Sequence, residues 1–180
     1  MNPGGSLTNL YLVGFRCTGK TSVGRLLAGL LGREFVDMDR ELAARGKKTI
    51  QQMVEDEGWQ CFRKRESQLL DRLSRSSEQV IATGGGAVTM PGNIALMRST
   101  GKVVWLRARP STIVERMTAD SHTAGQRPPL KGEDSLTEIK EVLEERLPLY
   151  RQAMDFCVDT DTHSPEEAAR RILAWLQCRG

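Results

Sequence analysis

The chain is short of aromatics, has no dense basic run, pairs none of its cysteines and contains no long apolar stretch. Each shortage excludes a class of function. Only 5% of the 180 residues are Phe, Trp or Tyr, too few for the stacking platforms that hold single-stranded nucleic acid. The net charge of +3 is a mild excess, with no Lys/Arg cluster resembling a nucleic-acid-binding arm. Cys17, Cys61, Cys157 and Cys178 lie far apart and form no Cys-x-x-Cys pair. That spacing removes support for zinc, thioredoxin-like exchange or a disulfide framework, and points to reduced thiols in a cytoplasm. No apolar stretch approaches the roughly 18 residues a membrane-crossing helix needs. Residues Met1–Asn9 are polar and contain Gly and Pro, which reads as a loose tail and not as a basic-then-apolar leader. The expectation is a cytoplasmic monomer with neither nucleic acid nor membrane as partner.

What is present is an alternation of short apolar runs and helical periodicities, without repeat or linker, over a length that suits one domain spanning residues 1–180. Strands are expected at Leu10–Val13, Phe35–Val36, Val80–Ala82, Val103–Leu106 and Phe156–Val158. Between them lie helical patterns: Thr21–Leu31 stopped by Gly32, a capping box at Thr49–Gln52 opening a helix that Gly58 closes, and a charged helix from Trp59 to about Arg75. Further helices are expected over about Pro91–Ser99, from near Ser111, and over Ser135–Arg146, where Pro148 disturbs the continuation. The last begins at the Ser164-Pro165-Glu166-Glu167 cap. Residues 118–134 are polar and aperiodic and read as a mobile loop. Strands alternating with helices imply an α/β fold: a five-stranded parallel sheet with helices on both faces, binding ligands at the carboxyl ends of its strands.

Gly14-Phe-Arg-Cys17-Thr18-Gly19-Lys20-Thr21 fits the Gly-x4-Gly-Lys-Thr phosphate loop, with an apolar strand before it and an amphipathic helix after it. Glycines let the backbone curl until its N–H groups point inward, and the helix N-terminus adds partial positive charge. Lys20 can reach the β- and γ-phosphates, and the Thr21 hydroxyl can ligate Mg²⁺. An Asn-Lys-x-Asp guanine-reading motif is missing, and no Asp ends the strands at Val80–Ala82 or Val103–Leu106. Asp37 and Asp39, alternate residues placed on one face of an extended chain, become the acidic candidates. Four further pieces complete the pattern: Arg63 one helical turn from Glu66, the strand-ending Gly84-Gly85-Gly86, Arg127-Pro-Pro-Leu130 in the mobile loop, and Glu145-Arg146-x-x-x-Tyr150 downstream.

From Leu10 to the final helix, this set in this order resembles the shikimate kinases, P-loop kinases of nucleoside-monophosphate-kinase-like architecture with a lid, here residues 118–134. The resemblance implies transfer of the ATP γ-phosphate to the 3-hydroxyl of shikimate, with Mg²⁺ as cofactor. It implies that Lys20, Asp39 and Arg127 serve the reaction, with Asp39 orienting or deprotonating the attacking hydroxyl. Gly14, Cys17, Thr18, Gly19, Lys20, Thr21, Ser22, Arg116 and Arg127 would surround ATP. Arg63 and Arg146 would hold the shikimate carboxylate, with Gly84–Gly86 against the ring, and Thr21 and Asp37 would serve the metal. Two positions depart from the pattern. Cys17 replaces a common glycine and is expected at negative φ, and His163 stands where a polar or basic residue often precedes the last helix. Other readings are a gluconate kinase, a nucleoside monophosphate kinase and a nucleotide-binding module without turnover.

Overall fold

The computed structural model describes residues 8–119 and 136–178. Its core is a five-stranded, all-parallel sheet ordered β2-β3-β1-β4-β5, built from β1 (Asn9–Val13), β2 (Glu34–Asp37), β3 (Gln79–Ala82), β4 (Gly101–Arg107) and β5 (Phe156–Asp159). β1 is central, in register with β3 through Leu10 and Val80 and with β4 through Tyr11 and Val103. Alternation along the strands sorts the core into two layers. Leu10, Leu12, Val80, Val104 and Val158 face α1 (Lys20–Leu31) and α7 (Pro165–Gln177). Tyr11, Val13, Ile81, Val103 and Trp105 face the other helices: α2 (Met38–Gly46), α3 (Ile50–Ser74), α4 (Pro91–Thr100), α5 (Pro110–Ala119) and α6 (Leu136–Ala153). Both faces of the sheet are therefore covered, as its continuous apolar strands require.

Local chemistry sets most boundaries. Both expected capping boxes are formed, Thr49 with Gln52 on α3 and Ser164 with Glu167 on α7. Gly58, at φ 80 and ψ 162, breaks the helical path inside α3, where the sequence places the junction between two helices. Gly32 ends α1 in the left-handed conformation.

Three expectations need correction, and one short turn is added. The loose tail does not extend to Asn9, which is buried in β1; its side chain donates to the Ser76 carbonyl and accepts from the Gln79 N–H. α2 has no counterpart in the sequence reading. The chain turns helical at Met38, where Asp37 accepts N–H bonds from Asp39 at 3.1 Å and Arg40 at 3.3 Å, so the two aspartates do not share an extended face. α6 runs through Pro148 to Ala153. Pro148 itself is exposed, so water can reach the carbonyl its ring leaves unbonded, while buried Tyr150 and Ala153 anchor the last turn. Finally, a short 3₁₀ turn at Ala87–Thr89 follows the three glycines.

Candidate active site

The phosphate loop joins β1 to α1 at the carboxyl end of the sheet. Gly14 has φ 145, and a Cβ there would overlap the Leu106 carbonyl; Gly19 has φ 90. Lys20 is buried, its Nζ donating to the carbonyls of Gly14 at 2.8 Å and Phe15 at 2.6 Å. The loop thus curls around its own lysine. Cys17 corrects the sequence reading: its φ is 59, in the left-handed region. The loop keeps the shape glycine usually supplies and places a half-buried thiol on it at some cost in strain.

A cavity of 630 Å³ opens over this loop, lined by residues 17–23, Asp37, Asp39, Arg116, Thr160, His163 and Pro165. The Thr21 hydroxyl donates to Asp37 Oδ2 at 2.7 Å. Arg116, on α5, donates to the Cys17 carbonyl at 3.2 Å, to Thr160 Oγ1 at 3.1 Å and to the Thr160 carbonyl at 2.5 Å. These bonds fix its guanidinium between the phosphate loop and the end of β5.

A smaller second pocket is lined by Phe15, Arg16, Asp39, Trp59, Arg63, Glu66, Gly84–Gly86 and Arg146. Asp39 lines both cavities, so its carboxylate stands at their junction. Arg63 Nη1 donates to Glu66 Oε2 at 2.7 Å, and its guanidinium lies 5.1 Å from the Trp59 ring centroid. Arg146 lies 5.6 Å from the Phe15 ring centroid and donates to the Gly85 carbonyl at 3.2 Å. The glycines are explained by what packs on them. A Cβ on Gly84 would overlap Glu66 Oε1, one on Gly86 would overlap the Arg63 guanidinium, and one on Gly85 would lie 3.2 Å from the Arg16 backbone nitrogen. Glu66 is fully buried and its carboxyl is held above the usual range: burial is the main cause, Asp39 adds to it, and Arg63 opposes it.

The structure brings together every described site residue expected from the sequence, with Gly14 forming the loop's turn and the others lining one cavity or the other. Arg127 and most of the 118–134 segment lie outside the described residues. Residues the sequence did not single out are Phe15, Arg16, Trp59, Thr160 and Pro165. Phe15 and Arg16 sit inside the phosphate-loop match and carried a signal by position. Trp59, four residues before Arg63, carried one by helical spacing. Thr160 carried none.

A phosphate loop opening a two-face-covered parallel sheet, with a carboxylate at the boundary of a second pocket walled by arginines, defines a P-loop kinase for a small acceptor. The family model for shikimate kinase matches residues 16–177. The shikimate kinase of Symbiobacterium thermophilum is 41% identical over 172 residues, 96% of this chain and 98% of that one. That of Caldicellulosiruptor saccharolyticus is 39% identical over 168 residues, covering 93% and 95%. The solved structure of the Acinetobacter baumannii shikimate kinase in complex with shikimate superposes with a TM-score of 0.89 at 36% identity, over 97% of this chain and 95% of that one. The chain belongs to the shikimate kinase family.

Proposed function

We propose that this protein transfers the γ-phosphate of ATP to the 3-hydroxyl of shikimate, giving shikimate 3-phosphate and ADP. The observation that carries the reading is Asp39, whose carboxylate borders both the phosphate-loop cavity and the arginine-walled pocket. The larger cavity takes ATP, with its phosphates on the loop N–H groups and on Lys20. The smaller takes shikimate, with its carboxylate between Arg63 and Arg146. Asp39 then accepts a hydrogen bond from the attacking hydroxyl and aims its oxygen into the larger cavity. An ordinary carboxylate is a weak base, so orientation is its larger contribution. Arg127, outside the described residues, would add positive charge where negative charge develops.

Thr21 and Asp37 suit a magnesium ion. Their oxygens meet at 2.7 Å on the cavity wall, and among the described residues no cluster of three or more His, Cys, Asp or Glu forms an all-protein metal cage. This is the sparse oxygen set that Mg²⁺ uses when nucleotide phosphates and water fill its other positions. Bound there, the ion would neutralise phosphate charge. Among the described residues no helix is long and apolar enough to cross a membrane.

A coupled ADP-release assay with shikimate, gluconate and nucleoside monophosphates as acceptors tests the reading. Rapid turnover with shikimate alone is expected. Turnover with gluconate and none with shikimate would overturn it.

A further inference from the structure

A cavity of 370 Å³ lies between α2 and α3 and shares no lining residue with either cavity of the proposed reaction. Arg65, Gln68, Leu69 and Arg72 line it at i, i+3, i+4 and i+7, so they form one stripe along α3. Arg63 and Glu66, which wall the acceptor pocket, fall on the opposite face of the same helix. Arg45 reaches the cavity from the last turn of α2. Leu42, Met53 and Leu69 are buried and give it an apolar floor.

Three guanidinium groups therefore surround a cavity that no Asp or Glu lines. Two of them are partly committed. Arg45 pairs with Glu41 one turn back on α2 through Nε and Nη2, and Arg65 pairs with Glu57 through Nη2 at 2.7 Å. Each pair leaves Nη1 of its guanidinium outside the bond. Arg72 forms no side-chain hydrogen bond or ion pair among the described residues. Like charges around one cavity repel, and an anion seated between them turns that repulsion into attraction. Guanidinium forks match phosphate and carboxylate oxygens two at a time. Cations drawn from two helices call for a ligand with more than one anionic group, and the apolar floor suits a short carbon skeleton. Glu41 and Glu57 add negative charge beside two of the arginines, which opposes an extended polyanion such as nucleic acid.

We propose that this cavity is an anion site for a small phosphorylated organic acid, whose phosphate and carboxylate bridge Arg45 of α2 to Arg65 and Arg72 of α3. It is separate from the sites of the proposed reaction and does not depend on that reading.

The test is calorimetric titration with 3-phosphoglycerate, which carries both anionic groups on three carbons. The protein is first saturated with shikimate, Mg²⁺ and a non-hydrolysable ATP analogue, so that the arginines and the phosphate loop of the other two cavities are occupied. Saturable binding is expected, and Arg45→Ala and Arg72→Ala should each weaken it about tenfold or more, as loss of a charge-assisted hydrogen bond does. Arg75→Ala removes the same charge from α3's end, outside the cavity, where the guanidinium bonds Asp71. It should leave the affinity within about twofold. All three arginines are exposed, so the variants keep the fold. Glycerate, which lacks the phosphate, should bind at least about tenfold more weakly than 3-phosphoglycerate. No saturable binding up to roughly 10 mM overturns the proposal. So does an equal loss in all three variants, an affinity in Arg45→Ala and Arg72→Ala within about twofold of wild type, or equal affinity for glycerate. If the saturating ligands themselves do not bind, that failure bears on the proposed function alone. The same proteins are then compared without them, since Arg45 and Arg72 line neither of the other cavities.

Discussion

The Tyr150 hydroxyl donates to the Gly85 carbonyl at 2.6 Å, so a residue buried in α6 sets the orientation of the glycine loop that walls the acceptor pocket. Tyr150 is fully buried, stacked on Trp105 at 5.6 Å between centroids, and its hydroxyl is pushed up to about 12, chiefly by burial. It therefore remains a neutral donor throughout the working range. Tyr150→Phe keeps the ring and its stacking and removes only this bond. Arg146 still donates to the same carbonyl at 3.2 Å, so the acceptor is not orphaned and the stability loss should stay near 1 kcal/mol. The expected result is a several-fold rise in shikimate KM with ATP KM unchanged, read from steady-state kinetics. An unchanged shikimate KM would remove Tyr150 from the positioning of this pocket.

Cys17 occupies a left-handed conformation in the phosphate loop, where a side chain of any size costs about 1 kcal/mol or more. Cys17→Gly relieves that strain but loosens the unfolded chain by a similar amount, so stability should move by less than about 1 kcal/mol. Since the Cys17 carbonyl that Arg116 uses is retained, ATP binding should persist. Cys17→Val places a β-branched side chain in the same conformation and should weaken ATP binding and lower the melting temperature. Equal behaviour of the two variants in calorimetry would contradict the strain argument.

Glu66 makes stability depend on pH in a direction opposite to most carboxylates. Burial raises its proton affinity in the folded state. Between the ordinary glutamate value and the raised one, the folded protein holds a proton that the unfolded chain releases. Unfolding free energy therefore falls as pH rises through that window and levels off above it. Glu66→Gln removes this contribution. The difference in stability, wild type minus variant, should be most favourable to the wild type at acid pH and decline as the carboxyl ionises. Denaturant titrations at a series of pH values measure it, and parallel profiles for the two proteins would refute it.

Much of the frame was legible because its signals are local. The Gly14–Thr21 loop, the Thr49–Gln52 and Ser164–Glu167 caps and the apolar strand runs are all short-range patterns, and the parallel sheet follows from their alternation. What escaped depends on tertiary context. α2 begins where it does because Asp37 turns its carboxylate onto two backbone N–H groups, an alternative that alternation along an extended chain conceals. α6 passes Pro148 because Tyr150 and Ala153 are anchored in the core. In the sequence Glu66 shows only its helical spacing to Arg63, whereas the structure also buries it against Gly84. Only the packing of α3 on the glycine loop determines that.

Arg63 and Arg146, of the proposed acceptor pocket, should separate kinetically from Arg127. Arg63 is braced by Glu66 at 2.7 Å and by the Trp59 ring, and Arg146 by the Gly85 carbonyl and the Phe15 ring. Both are thus held in place on rigid elements, and on the proposed reading they would face a shikimate carboxylate whose charge does not change during transfer. Their loss weakens ground state and transition state alike, so Arg63→Ala and Arg146→Ala should raise shikimate KM more than they lower kcat. Arg63→Lys should restore little, because one ammonium can reproduce neither a two-pronged grip on a carboxylate nor the stacking on Trp59. On the proposed reading, Arg127 would meet charge that develops as the phosphoryl group moves. Arg127→Ala should therefore lower kcat, by roughly a hundredfold if one charge-stabilising contact is lost, with a smaller effect on shikimate KM. Steady-state kinetics of the four variants is the measurement. The assignment fails if Arg127→Ala alters only shikimate KM, or if the pocket variants alter only kcat.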